Sequence, residues 1–174
     1  FFFKQKTAYE IPKRDWSSDV CSSDLVPIWE GACVDGVAQG TGRLAWIVRN
    51  RPVFIYEGTL ERGRMHGDGA YELPNGQRYE GQFADDLPSG TGVYTWPSGS
   101  RYEGGFRNGL FHGRGIRTWG GDSPFAGDRY DGDFVEGRRT GKGLYLFANG
   151  QRYEGRSEEH TSELQSRFGI SYAV

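Results

Sequence analysis

Two histidines, a row of evenly spaced carboxylates and one glycine-rich basic stretch are the places where this sequence could do chemistry. His66 and His112 each stand directly before a glycine, in HGDG and HGRG. A histidine pair can bind a metal or relay a proton. Two that hold the same place in two copies of one phrase are expected instead to belong to a loop of the repeat. Glu57, Glu80, Glu103, Asp131 and Glu154 each follow an aromatic residue and precede a glycine. Paired carboxylates can do acid–base work, whereas one acid per repeat is expected to bond loop amides or the arginines beside it. Residues 137–143, GRRTGKG, have part of the spacing of a phosphate loop. Only three residues precede Gly-Lys, however, no Ser or Thr follows, and a hairpin loop is expected there. Cys33 takes a place held elsewhere by Phe or Leu, so a buried apolar thiol is expected. No Ser, His and Asp grouping stands out. The chain is therefore expected to have no turnover of its own, no cofactor and no metal.

The elements that carry these residues are written in a repeat. YEGTLERGRMHGDGAYELPNGQR begins at Tyr56 and YEGQFADDLPSGTGVYTWPSGSR at Tyr79, each twenty-three residues long. Further starts fall at Tyr102, Tyr130 and Tyr153, with an outlying copy at Trp29, giving spacings of 27, 23, 23, 28 and 23 residues. A period of this size signals stacked supersecondary units, each unable to bury its apolar face alone. Within a copy, Tyr79, Gly81 and Phe83 alternate with Glu80 and Gln82, and Gly92, Tyr94 and Trp96 alternate again. That is the period of a strand. Residues 84–89 are expected to form the loop between the two strands, with the second strand over 90–96. Pro97-Ser98-Gly99-Ser100, Asn75-Gly76 and Asn149-Gly150 turn the chain into the next copy. Residues 47–55, with Asn50 and Pro52, read as a longer hairpin loop. Glycines at the third, twelfth and fourteenth places are expected to let rings lie flat on the backbone. The expected architecture is all-β: an elongated, helix-poor solenoid of antiparallel hairpins from about Trp29 to Gly155.

The totals agree with such an array. Glycine numbers 28 and aromatics make up 15% of the 174 residues, so rings packed on backbone must replace interdigitated aliphatics. A net charge of −2 gives no reason to expect nucleic acid as a partner. No apolar run approaches the roughly 20 residues of a membrane-spanning helix. Two cysteines, Cys21 and Cys33, are too few for a disulfide framework. The ends read differently. Residues 15–25, DWSSDVCSSDL, back-translate to DNA whose reverse complement encodes RSEEHTSELQS, residues 156–166. The same operation, carried through Pro12 and Thr7, reaches RFGISYAV, residues 167–174. Both tails thus read as opposite strands of one segment resembling a sequencing-library adapter. Residues 1–25 and 156–174 are expected to be non-native and outside the fold, leaving 26–155 as a repeat array cut at both sides.

The phrase Y-E-G-x-F-x-x-G-x-x-x-G-x-G resembles the MORN repeat, clearest in YEGGFRNGLFHGRGIRTW from Tyr102 and YDGDFVEGRRTGKGLYLF from Tyr130. Leu60 replaces the phenylalanine of the Tyr56 copy, Asp86 the loop glycine of the Tyr79 copy, and Cys33 the phenylalanine of the Trp29 copy. The resemblance implies a β-hairpin solenoid. It also implies a scaffold, a contact surface for proteins or lipids, or an attachment to an enzyme. Alternation puts Tyr56, Tyr71, Tyr79, Tyr94, Trp96, Tyr102, Trp119, Tyr130, Tyr145 and Phe147 on one face, expected to form a partner-binding groove. Tyr and Trp bury large area with few rotatable bonds, as protein anchors do. A protein or peptide partner is therefore expected. An accessory segment of a larger enzyme is one alternative. A peripheral phospholipid module is the other, with weak lipid binding expected because acids and arginines alternate. Arg78, Arg101, Arg129 and Arg152 each precede an opening aromatic and are expected to stack on it or pair with the neighbouring acid.

Overall fold

The computed structural model describes residues 25–156. The tails read as adapter lie outside them, apart from Leu25 and Arg156, which end the first and last strands. Every regular element among the described residues is a strand, as the alternation predicts. Two compact units part at Gly90 and Thr91. The first holds β1 (Leu25–Glu30), β2 (Cys33–Val34), β3 (Val37–Ala38), β4 (Gly40–Val48), β5 (Arg51–Glu61), β6 (Arg64–Glu72) and β7 (Arg78–Ala84). β8 (Leu87–Thr95) leads into the second, with β9 (Arg101–Arg107), β10 (Leu110–Thr118), β11 (Arg129–Val135), β12 (Arg138–Leu146) and β13 (Arg152–Arg156). Neighbours pair antiparallel as β1-β4-β5-β6-β7 in the first unit and β9-β10-β11-β12-β13 in the second. The sheet is a succession of hairpins.

Turn chemistry sets the hairpins. Inside each copy the two strands are joined by only two residues, both at positive φ: Arg62-Gly63, Asp85-Asp86, Asn108-Gly109 and Glu136-Gly137. This is the turn whose twist matches that of paired strands. It corrects the loop expected over 84–89, since β8 already begins at Leu87. The expected long loop within 47–55 is likewise a two-residue turn, Arg49-Asn50 at φ 48° and 63°. The inserted residues lengthen the strands instead, and Pro52 pairs with Ile47 just past a register shift. Between copies a wider turn recurs. Gly76 N–H donates to the Leu73 carbonyl, Gly99 to Trp96 and Gly150 to Phe147, and the Asn75, Ser98 and Asn149 side chains each accept the amide two residues on.

The third- and fourteenth-place glycines line up across strands. Gly42, Gly58, Gly69 and Gly81 pair in succession, as do Gly104, Gly115, Gly132, Gly143 and Gly155. Beside that row runs a second: Leu44, Tyr56, Tyr71 and Tyr79 in one unit, and Tyr102, Arg117, Tyr130, Tyr145 and Tyr153 in the other. Tyr56, Tyr102 and Tyr130 lie down over the glycines. A Cβ on Gly69 would stand 2.6 Å from the Tyr56 ring, and one on Gly115 2.4 Å from the Tyr102 hydroxyl. The twelfth-place glycines do something else, contrary to expectation. Gly67, Gly113 and Gly141 sit at φ 67°, 69° and 58° where the register slips, and space beside Gly67 and Gly113 is open. They are required by a bulge rather than by a ring.

Candidate binding face

The ten residues expected on the groove divide by depth. Tyr56, Tyr79, Tyr102 and Tyr130 have no solvent exposure, and Tyr145 has almost none. Tyr71, Tyr94, Trp96, Trp119 and Phe147 are half-buried. The opening tyrosines are therefore core. Tyr79, Tyr102 and Tyr130 each meet the fifth-place ring of their own copy edge-on (Phe83, Phe106 and Phe134), whereas the Tyr56 copy has Leu60 at that place. The next copy closes the packing, with Phe83 at 5.1 Å from Tyr56 and Phe134 at 5.0 Å from Tyr102. Edge-to-face pairs of this kind add about 0.5–1.5 kcal/mol beyond burial. The hydroxyls find partners as well. Those of Tyr56, Tyr79 and Tyr102 donate to the carbonyls of Thr59, Gln82 and Gly105, three residues on, at 2.8–2.9 Å.

Loss of solvent raises the Tyr56 and Tyr102 hydroxyls to about 12, and raises Tyr79 and Tyr130 also. An unfolded tyrosine ionises near 10. Between those values the unfolded chain has released protons that the folded chain keeps. Stability is therefore whole below about pH 10 and declines as pH climbs toward 12. Thermal melts across that range are expected to show a level midpoint up to about pH 9 and a steep fall above about pH 10. A midpoint that stays level to pH 11 would mean the rings are wetter than their packing indicates.

The half-buried rings of the second unit cluster where copies meet. Tyr94 and Trp96 lie 4.7 Å apart, Trp119 and Tyr145 5.6 Å, and Tyr145 and Phe147 4.7 Å. Trp96, Trp119 and Phe147 each stand just past the end of a strand and open the wide turn. Between the two tryptophans is a residue the sequence reading passed over. The Arg117 guanidinium lies 5.0 Å from the Trp96 ring centre and 5.2 Å from that of Trp119. Arg139 lies 5.5 Å from Tyr130 and 5.7 Å from Tyr145. In the first unit Tyr71 lies 5.6 Å from Phe54, 5.7 Å from Tyr79 and 6.1 Å from Phe83.

The MORN repeat family model matches residues 56–78, 79–101, 102–122 and 130–152, together more than half of the chain. The chain belongs to the MORN-repeat family. Comparison with curated proteins finds no match. The four matched MORN copies start at the four fully buried tyrosines. They also show what is particular here. The sixteenth place holds Tyr71, Tyr94 and Tyr145 in three copies but Arg117 in the fourth. The signal that could have revealed Arg117 was this break in the repeat.

The remaining chemistry-bearing residues resolve into structure. His66 and His112 lie on strands β6 and β10 rather than in loops, and His66 approaches exposed Glu61 at 3.7 Å. No group of three or more metal-ligating side chains occurs among the described residues. The acidic row lies on the sheet face opposite the rings and pairs with arginine: Arg43 with Glu30 and Glu57, Arg78 with Glu80, Arg101 with Glu103, Arg129 with Asp131. Exposed pairs like these are each worth less than about 1 kcal/mol. Only Gly137 of the 137–143 stretch is in a turn, because Arg138 already begins β12, so the expected loop is a strand. Cys33 is exposed, not buried as expected. β1 stops at Glu30, and Cys33 belongs to the separate β2–β3 pair, in which Ala38 supplies the buried side chain.

Proposed function

We propose that this chain is a non-catalytic MORN-repeat scaffold that holds a protein or peptide partner on the aromatic face of its repeats. The observation that supports this most is the division of the aromatics. The opening tyrosines complete the fold, so Tyr94, Trp96, Trp119 and Phe147 are left half-exposed without being needed as its deepest packing. Half-exposed Trp and Tyr already fixed by ring contacts lose little entropy on docking. The opposite face has its charges paired with one another and offers less. An accessory role within a larger enzyme is compatible with the same surface, since the scaffold would then hold its partner in that enzyme.

The test is selection from a displayed peptide library on the full chain, followed by affinity measurement of the selected peptides. Trp96→Ala together with Trp119→Ala should weaken them at least about tenfold, in the range of hot-spot truncations, while the alkaline and thermal transitions stay near those of the parent. Failure to select any peptide, or equal affinity for the double variant, would rule this reading out.

A further inference from the structure

We infer that the aromatic face of the second unit is selective for acidic segments, with Arg117 receiving a glutamate or aspartate carboxylate of the partner. The inference rests on the scaffold reading above and adds the chemistry of what is held. Arg117 is half-buried, yet among the described residues it makes no ion pair and no hydrogen bond, and its Nε is enclosed without an acceptor. A buried donor on a charged group costs free energy until it is satisfied. Burial and the nearby charge of Arg139 both act against its protonated form. A carboxylate at the Tyr145 side of this cluster is already used. Asp128 accepts the Tyr145 hydroxyl at 2.6 Å and the Ala148 amide at 2.8 Å.

Geometry makes a carboxylate the fitting counterpart. The Arg117 guanidinium carbon lies over the Trp96 and Trp119 rings, and the N–H donors of a guanidinium lie in its own plane. The two ring contacts steady the fork, whose terminal N–H groups can meet a bidentate acceptor. An anionic membrane surface fits less well. It is recognised by several clustered cations, each adding about 1 kcal/mol. Here Arg101, Arg114 and Arg129 are committed to Glu103 and Asp131 on the other face. Arg117, half-buried between two tryptophans with Arg139 against the neighbouring tyrosines, suits a carboxylate flanked by apolar side chains.

The probe is a fluorescein-labelled peptide of alternating leucine and glutamate, compared by anisotropy with its leucine–glutamine counterpart on the full chain. The glutamate peptide is expected to bind about tenfold or more tightly than the glutamine peptide, as charge-assisted hydrogen bonds allow. Arg117→Tyr restores the residue that the same place holds in the other copies, so the fold should persist, and the preference should vanish. Arg117→Lys keeps the charge without the fork and should retain only part of it. Equal binding of the two peptides, or an undiminished preference in Arg117→Tyr, would overturn the inference while leaving the scaffold reading intact. So would failure of the glutamate peptide to bind when library peptides do. Binding to phosphatidylcholine vesicles containing one-fifth phosphatidylserine that exceeds peptide binding and depends on Arg117 would overturn it in favour of lipid.

Discussion

Replacing Tyr102 by alanine is expected to lower the melting midpoint by on the order of 10 °C, from a loss of about 3–5 kcal/mol. The ring has no exposure, stacks on Phe111 at 3.8 Å, meets Phe106 and Phe134 edge-on and covers Gly115. Alanine would leave a cavity that no neighbour can fill, because the row beneath it is glycine. Tyr102→Phe should cost only about 1 kcal/mol, the usual worth of its hydroxyl bond to the Gly105 carbonyl. Denaturant titration of both variants decides the matter. A Tyr102→Ala protein as stable as Tyr102→Phe would show that the ring is a surface residue, and that the division between core and binding rings is wrong.

The second large effect is expected at Gly115. Valine there should destabilise by about 3 kcal/mol or more, the upper range for forcing bulk into a packed site. The Cβ alone would lie 2.4 Å from the Tyr102 hydroxyl, and the buried ring has nowhere to move. Gly113, two residues earlier, offers a control from the same strand. Space beside it is open but its φ is 69°, so Gly113→Ala should cost only the left-handed penalty of about 1–2 kcal/mol. Arg107→Ala, on an exposed strand end, should change stability by less than about 0.5 kcal/mol. The order Gly115, Gly113, Arg107 in denaturation midpoints is the expected result. A Gly113 effect as large as that at Gly115 would mean both glycines accommodate rings.

These two glycines also mark how far the sequence could be read. Repeat period and alternation place the strands, and Asn-Gly and Ser-Gly place the turns between copies, because turn geometry is decided by a few local residues. What stayed hidden was which glycine answers to a ring and which to a bulge. Both are simply glycine in the phrase, and only the register shift beside Gly67 or Gly113 separates them. Asp85-Asp86 concealed a tight turn because aspartate is less common than glycine at positive φ, though it tolerates it. For the candidate site, alternation put ten aromatics on one side but could not give depth. Depth follows from the tyrosine lying down under the next copy's phenylalanine, a contact between residues more than twenty apart. Arg117 went unread for a related reason, since an arginine in an aromatic row has meaning only once its flanking tryptophans are in place.

On the proposed function, the tryptophans at the copy junctions hold the partner while the buried aromatic row does not. Indole N–H resonances of the full chain, followed while a library-selected peptide is added, test this most directly. The signals of Trp96 and Trp119, identified by single substitution, should shift and saturate together. That of Trp29, buried and bonded to the Ala32 carbonyl at 2.9 Å, should stay in place. Saturable binding that leaves both junction signals unmoved would contradict the account.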